Sequence, residues 1–224
     1  MNRSLLIALV TAGIAAALPV SSAHAGYFDN RPTQERQTPA FSATPTQGQQ
    51  GTAREPGFLL RLSGGLGYAT TGANDVDFDL RGVGFDYNFA IGAVVGRNAA
   101  LHANLFGWAV PSPRVSLAGE SVTADDATLS LTSIGLGGTF WLGDPTLYLS
   151  PSIGLALLSL EVPGSTFESD PGFALDLALG KEWFVGPRWS LGIAGAVGWH
   201  RVPDEDDTIL SGPSFGLRFS ATFH

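Results

Sequence analysis

Two arginines and three carboxylates stand out because the residues around them are mostly apolar or tiny: Arg61, Asp86, Asp176, Glu182 and Arg218. His102, Asn88 and Asn104 occur in the same kind of surroundings. A guanidinium fork fits a carboxylate, and charges withdrawn from water must be paired. These residue types therefore point to a buried charge network that fills an interior and sets its register, not to turnover.

Other chemistry is weaker. The histidines are His24, His102, His200 and His224. His200 precedes the acidic run Asp204-Glu205-Asp206-Asp207, and a Ser-His-acid arrangement with Ser211 can be drawn. A triad is recognised by geometry, however, and any chain of this size holds enough Ser and Asp for the coincidence. No catalytic residue is assigned, and the chain is read as a non-enzyme. Asn74-Asp75-Val76-Asp77-Phe78-Asp79 resembles an oxygen-donor loop for a divalent cation, but lacks the glycine and closing Glu of a calcium loop, so it is read as solvated charge with no metal site. No cysteine is present, which excludes disulfides and thiolate chemistry, and no cofactor motif occurs. After removal of the amino-terminal segment described next, 11 basic side chains face 20 acidic ones, a balance that disfavours nucleic acid.

The elements that position these residues start after an export signal. Asn2 and Arg3, an apolar run from Leu5 to Leu18, and Ala23-His24-Ala25 predict a cleaved signal over residues 1–25. Residues 26–56, rich in Gln, Thr, Pro and Gly, predict a disordered linker. One domain, 57–224, follows. It contains no apolar run long enough to cross a bilayer as a helix, yet the chain is 44% hydrophobic and only 14% charged.

Within that domain the hydrophobic signal has period two. Phe58, Leu60, Leu62, Leu66 and Tyr68 alternate with Arg61, Ser63, Gly65 and Gly67; Phe85, Tyr87, Phe89 and Ile91 alternate with Asp86, Asn88, Ala90 and Gly92. Similar runs begin near Leu101, Thr128, Leu147, Phe173, Trp189 and Phe215, giving eight strands. In the fourth, Leu129 and Leu131 fall out of phase with Ile134 and Leu136, which predicts a bulge near Thr132. Tight turns are predicted at Gly96-Arg97-Asn98, Gly143-Asp144-Pro145 and Gly186-Pro187-Arg188, and long loops over 71–84, 111–126, 163–172 and 202–212.

One parity is bulky and apolar, whereas the other is mostly Gly, Ala and Ser with the charged residues above. Small residues make a poor solvent face but suit the narrow interior of an eight-stranded barrel. The expected fold is thus all-β: a closed eight-stranded antiparallel up-and-down transmembrane β-barrel, since closure is the way a sheet satisfies its backbone in lipid. Two aromatic girdles are expected, Phe140, Trp141, Trp183, Phe184, Trp189 and Phe223 on the turn side and Tyr68, Trp108 and Trp199 on the loop side.

In this pattern the domain resembles the small bacterial outer-membrane barrels of the OmpA and OmpX type. Its most specific element is the last strand, Phe215-x-Leu217-x-Phe219-x-Ala221-x-Phe223, similar to that family's carboxy-terminal assembly signal, here followed by His224. The resemblance implies outer-membrane location, contact with outer-membrane lipids and lipopolysaccharide, and recognition by the assembly machinery through the last strand. The acidic loops are expected to meet divalent ions that bridge lipopolysaccharide phosphates. A structural or surface-interaction role in the envelope is expected. The alternatives are passive, porin-like transport of a small or apolar solute and a lipid A-modifying barrel enzyme, whose His-x-Ser pattern is absent because Arg201 and Val202 follow His200.

Overall fold

The computed structural model describes residues 56–74, 77–143, 146–204 and 208–223. The expected export signal, the linker up to residue 55, and His24 and His224 lie outside the described residues, as do parts of both acidic runs and of the turn at 143–145. The strands are β1 (Gly57–Ala73), β2 (Phe78–Val94), β3 (Ala99–Pro111), β4 (Arg114–Leu117), β5 (Glu120–Thr123), β6 (Thr128–Trp141), β7 (Leu147–Val162), β8 (Ser165–Glu168), β9 (Gly172–Phe184), β10 (Trp189–Pro203) and β11 (Ile209–Phe223). Eight long strands, β1, β2, β3, β6, β7, β9, β10 and β11, each pair antiparallel with their neighbours. The ring closes because β1 pairs with β2 on one edge and with β11 on the other, from Leu60 opposite Phe223 to Ala73 opposite Leu210. Closure leaves the barrel wall without a free edge, as a bilayer demands.

Along each strand the inward parity is constant, but in β2, β6, β7 and β10 the polarity of the two faces inverts with height. In β2 the inward residues run from Phe78 and Leu80 to Asp86 and Asn88, whereas the outward ones run from Asp79 and Arg81 to Val83, Phe85 and Phe89. The outward belt is strongly apolar: Leu66 and Leu136 are each 69% exposed, Ile134 67% and Phe219 65%. That surface is stable only against acyl tails. Above it, on the loop side, the wall carries ions such as the exposed Asp79–Arg81 pair at 3.5 Å. There the interior becomes an ordinary hydrophobic core of Phe78, Leu80, Phe106, Trp108, Leu129, Leu131, Leu158 and Leu160. Strands β2, β6, β7 and β10 thus belong partly to a membrane barrel and partly to a water-exposed one.

The structure corrects three expectations. No bulge occurs near Thr132, since β6 pairs in unbroken register with β3 from Ala99 opposite Phe140 to Pro111 opposite Thr128. Leu129 and Leu131 simply face the interior, where the core is apolar. Trp108 and Trp141 are not girdle residues: both are 3% exposed and point inward, while Trp183, Trp189, Trp199, Tyr68 and Phe140 do face outward. Finally, much of the predicted loop sequence is strand. β1 runs to Ala73 and β2 starts at Phe78, β10 runs to Pro203 and β11 starts at Ile209, and the other two connections contain β4, β5 and β8. Two hairpin tips use the left-handed region at Gly119 (φ 86°) and Gly164 (φ 84°), where a side chain would be strained. On the opposite side the turns at 95–98 and 185–188 are short, as predicted, and Phe58 and Phe223 meet there with ring centroids 6.2 Å apart.

A lumen-filling polar network as the candidate functional site

Below the apolar roof every long strand contributes a polar side chain to one connected cluster. Arg218 on β11 is its centre. Its Nη1 and Nη2 donate to Asp176 on β9 at 2.8 and 2.7 Å, and its Nε and Nη2 donate to Asp86 on β2, the latter at 3.1 Å. Both carboxylates thus grip one guanidinium, the geometry that makes a buried ion pair tolerable.

From Asp176 the bonds run down the lumen in one sense. Asn88 Nδ2 donates to Asp176 Oδ2 at 3.1 Å, and Asn104 Nδ2 donates to Asn88 Oδ1 at 2.9 Å. Asn104 Oδ1 is then left as acceptor, so His102 donates to it from Nδ1, and His102 Nε2 accepts from the Thr139 hydroxyl at 3.0 Å. Thr139 also meets Ser150 on β7 at 3.1 Å and accepts from Arg61 Nη1 at 3.0 Å. Arg61 on β1 lies over the Tyr148 ring at 4.4 Å, donates from Nε to Thr222 at 3.1 Å, and holds Nη2 3.9 Å from Glu182. Glu182 accepts from the Trp141 indole at 2.8 Å and from Ser190 on β10 at 3.0 Å.

The structure therefore brings Arg61, Asp86, Asn88, His102, Asn104, Asp176, Glu182 and Arg218 into one lumen, each at most 8% exposed. Two cations face three carboxylates, and the excess negative charge is met by amide and hydroxyl donors. The tiny inward residues are what make room. A Cβ on Gly216 would lie 2.7 Å from the Asp86 carboxyl carbon, and one on Gly137 would lie 2.6 Å from Ser152 Oγ and 2.7 Å from the His102 ring. Either residue would push the network apart.

Sequence reasoning missed Thr139, Ser150, Thr222 and Ser190 as links and Trp141 and Tyr148 as the floor. Their parity was readable, because Thr139 and Trp141 alternate in step with Gly137, and Trp108 with His102 and Asn104. The position of the two tryptophans near strand ends suggested a girdle instead.

His200 and Ser211 do not come together. His200 faces inward, with Nε2 3.0 Å from the Thr71 hydroxyl and its ring 5.7 Å from that of Trp108. Ser211 lies on the outward parity of β11, on the other side of the wall. No group of three or more potential metal ligands occurs among the described residues. The interior space beside Trp108, His200 and Arg218 is about 10 Å³, and a second one beside Leu80, Leu129 and Phe167 is about 10 Å³. Each has room for about one water.

Comparison with solved structures fits this architecture. Neisserial surface protein A aligns with a TM-score of 0.55 at 16% identity, over 76% of this chain and 99% of that one. The attachment invasion locus protein of Yersinia pestis aligns at 0.42, with 12% identity over 73% and 98% of the two chains. The outer membrane protein OprG of Pseudomonas aeruginosa aligns at 0.45, with 10% identity over 75% and 96%. No family model and no curated protein matches the sequence. The first likeness is one of fold: a closed antiparallel barrel of the bacterial outer-membrane type. With the apolar belt, that fold makes the chain an outer-membrane β-barrel protein.

Proposed function

We propose that the protein is a sealed barrel with a structural role in the outer membrane, offering its loop-side β-rim for surface interactions. One observation carries this reading: the lumen is filled twice over, by the polar network and by the apolar roof of Trp108, Leu129, Leu131 and Leu158 above it. A solute would have to break the grip of Asp86 and Asp176 on Arg218 and displace the roof as well. The rim supports the surface role, because the strands and the β4–β5 hairpin rise above the belt as ordered structure, with Glu120 to Thr123 all exposed. Lipopolysaccharide and the other outer-membrane lipids are the partners of the belt. The assembly machinery is the partner of the last strand, whose Phe215, Leu217 and Phe219 face outward. No catalytic role is proposed, since His200 and Ser211 point to opposite sides of the wall.

Planar-bilayer recording of the refolded protein tests this. The sealed lumen gives no channel steps above the bare bilayer. Reproducible unitary steps from the unmodified protein would overturn the reading in favour of passive transport.

A further inference from the structure

We propose that the outer wall of β9, β10 and β11 holds one glycerophospholipid of the turn-side leaflet, its phosphate on Lys181 and an acyl chain in the groove over Gly195. This goes beyond the sealed-barrel role and does not depend on it.

The belt is otherwise uncharged. Among the described residues, Lys181 is the single charged side chain on the outward parity between the rows of Trp183 and Trp189 below and Trp199 above. A lysine on the lipid face is unfavourable in a depth-dependent way and is relieved by bending toward the headgroups. Its Nζ does lean that way, 6.0 Å from the centre of the exposed Trp183 ring, one outward position nearer the turn. The ammonium is thereby delivered to the height of lipid phosphates, next to an amphipathic ring that favours that level.

Immediately beside it the wall has a shallow, open depression. Lys181 is paired with Ile193 and Leu147, and the next outward row is Leu179, Gly195 and Leu217. Gly195 stands between Ile193 and Val197 on the outward parity of β10, and nothing lies within 4 Å of where its Cβ would be. The result is an open groove of about 340 Å³ lined by Leu147, Leu179, Lys181, Ile193, Gly195 and Leu217. Apolar flanks and a single cation at the turn-side end match an amphiphile with an anionic head and a hydrocarbon tail. The short turns at 95–98 and 185–188 mark the periplasmic side in barrels of this kind. The leaflet there is made of glycerophospholipids, and lipopolysaccharide occupies the opposite one. Charge complementarity and leaflet therefore select the same occupant.

Native mass spectrometry of the full-length protein, released from nanodiscs containing phosphatidylglycerol, reads the site directly. Neutral diacylglycerol with the same chains and lipid A serve as competitors. The unmodified protein retains one phosphatidylglycerol in preference to both. Lys181→Gln and Gly195→Leu each lower that retention roughly tenfold, the loss of one good contact, and Lys181→Arg keeps it. Heat-modifiable gel migration certifies that each variant is folded, and the open space at Gly195 leaves room for the leucine. Equal retention of diacylglycerol, preference for lipid A, or unchanged retention in either folded variant would overturn the assignment. A dimer that Gly195→Leu dissolves would do the same, because the groove would then belong to a second copy.

Discussion

Arg218 and Asp176 meet fork to fork in the middle of the lumen, through two bonds of 2.8 and 2.7 Å, while Asp86 takes the remaining edge of the same guanidinium. Removing the cation strands two buried carboxylates, which is worse than never having had the pair. Arg218→Met is expected to lower unfolding free energy in detergent micelles by about 3–5 kcal/mol, read by urea titration. Combining it with Asp176→Asn should recover part of the loss, a coupling of about 1–3 kcal/mol in a double-mutant cycle. Additive effects would mean that the two residues do not act as a unit.

The glycines of the inward parity reserve space for these side chains, and Gly195 on the outward face differs sharply from them. A Cβ at Gly137 meets Ser152, His102 and Asn104 within 2.9 Å, whereas one at Gly195 meets nothing within 4 Å. Gly137→Val should destabilise by about 1–3 kcal/mol through overpacking. Gly195→Leu should change stability by no more than about 0.5 kcal/mol. The same urea titration compares them, and equal effects would contradict the assigned faces.

The loop-side roof is a conventional core, so it should respond to truncation as one. Trp108→Ala is expected to cost about 3–5 kcal/mol. It should nevertheless stay silent in planar bilayers, because the Arg218 layer lies below it. Conductance appearing on this single change would show that the roof alone seals the barrel.

The membrane boundary falls within single strands. On the outward face of β6, Ser130 lies on the loop side of the belt and Leu136, 69% exposed, lies within it. Leu136→Arg should destabilise the barrel in lipid by about 2–4 kcal/mol, and Ser130→Arg by less than about 0.5 kcal/mol. Folding titrations into phospholipid vesicles distinguish them.

Much of this was legible beforehand because period two is a local property. A one-residue step changes the face, so the alternation around Arg61, Asp86 and Arg218 already placed them on the side of the glycines. What single segments do not encode is height. Leu129, Leu131, Phe78 and Leu80 look like belt residues until the neighbouring strands show that they stand above it, where the apolar face is the inner one. The expected bulge at Thr132 and the misplaced Trp108 share that origin, whereas Trp141 was misplaced because it stands near the turn-side end of its strand. The pairing of Asn88 with Asp176, 88 residues apart, was equally out of reach, because it depends on β2 and β9 facing each other across the lumen.

The absence of cysteine from the chain lets a nitroxide be placed at one chosen position at a time. Oxygen and nickel-complex accessibilities for labels at successive positions from 130 to 140, in bilayers, test the orientation of the wall most directly. Even positions from Ile134 to Phe140 should be oxygen-accessible, odd positions should be shielded from both probes, and nickel access should rise at Ser130. Oxygen access on the odd positions, or no alternation at all, would contradict a barrel that turns its leucines to lipid and its charges inward.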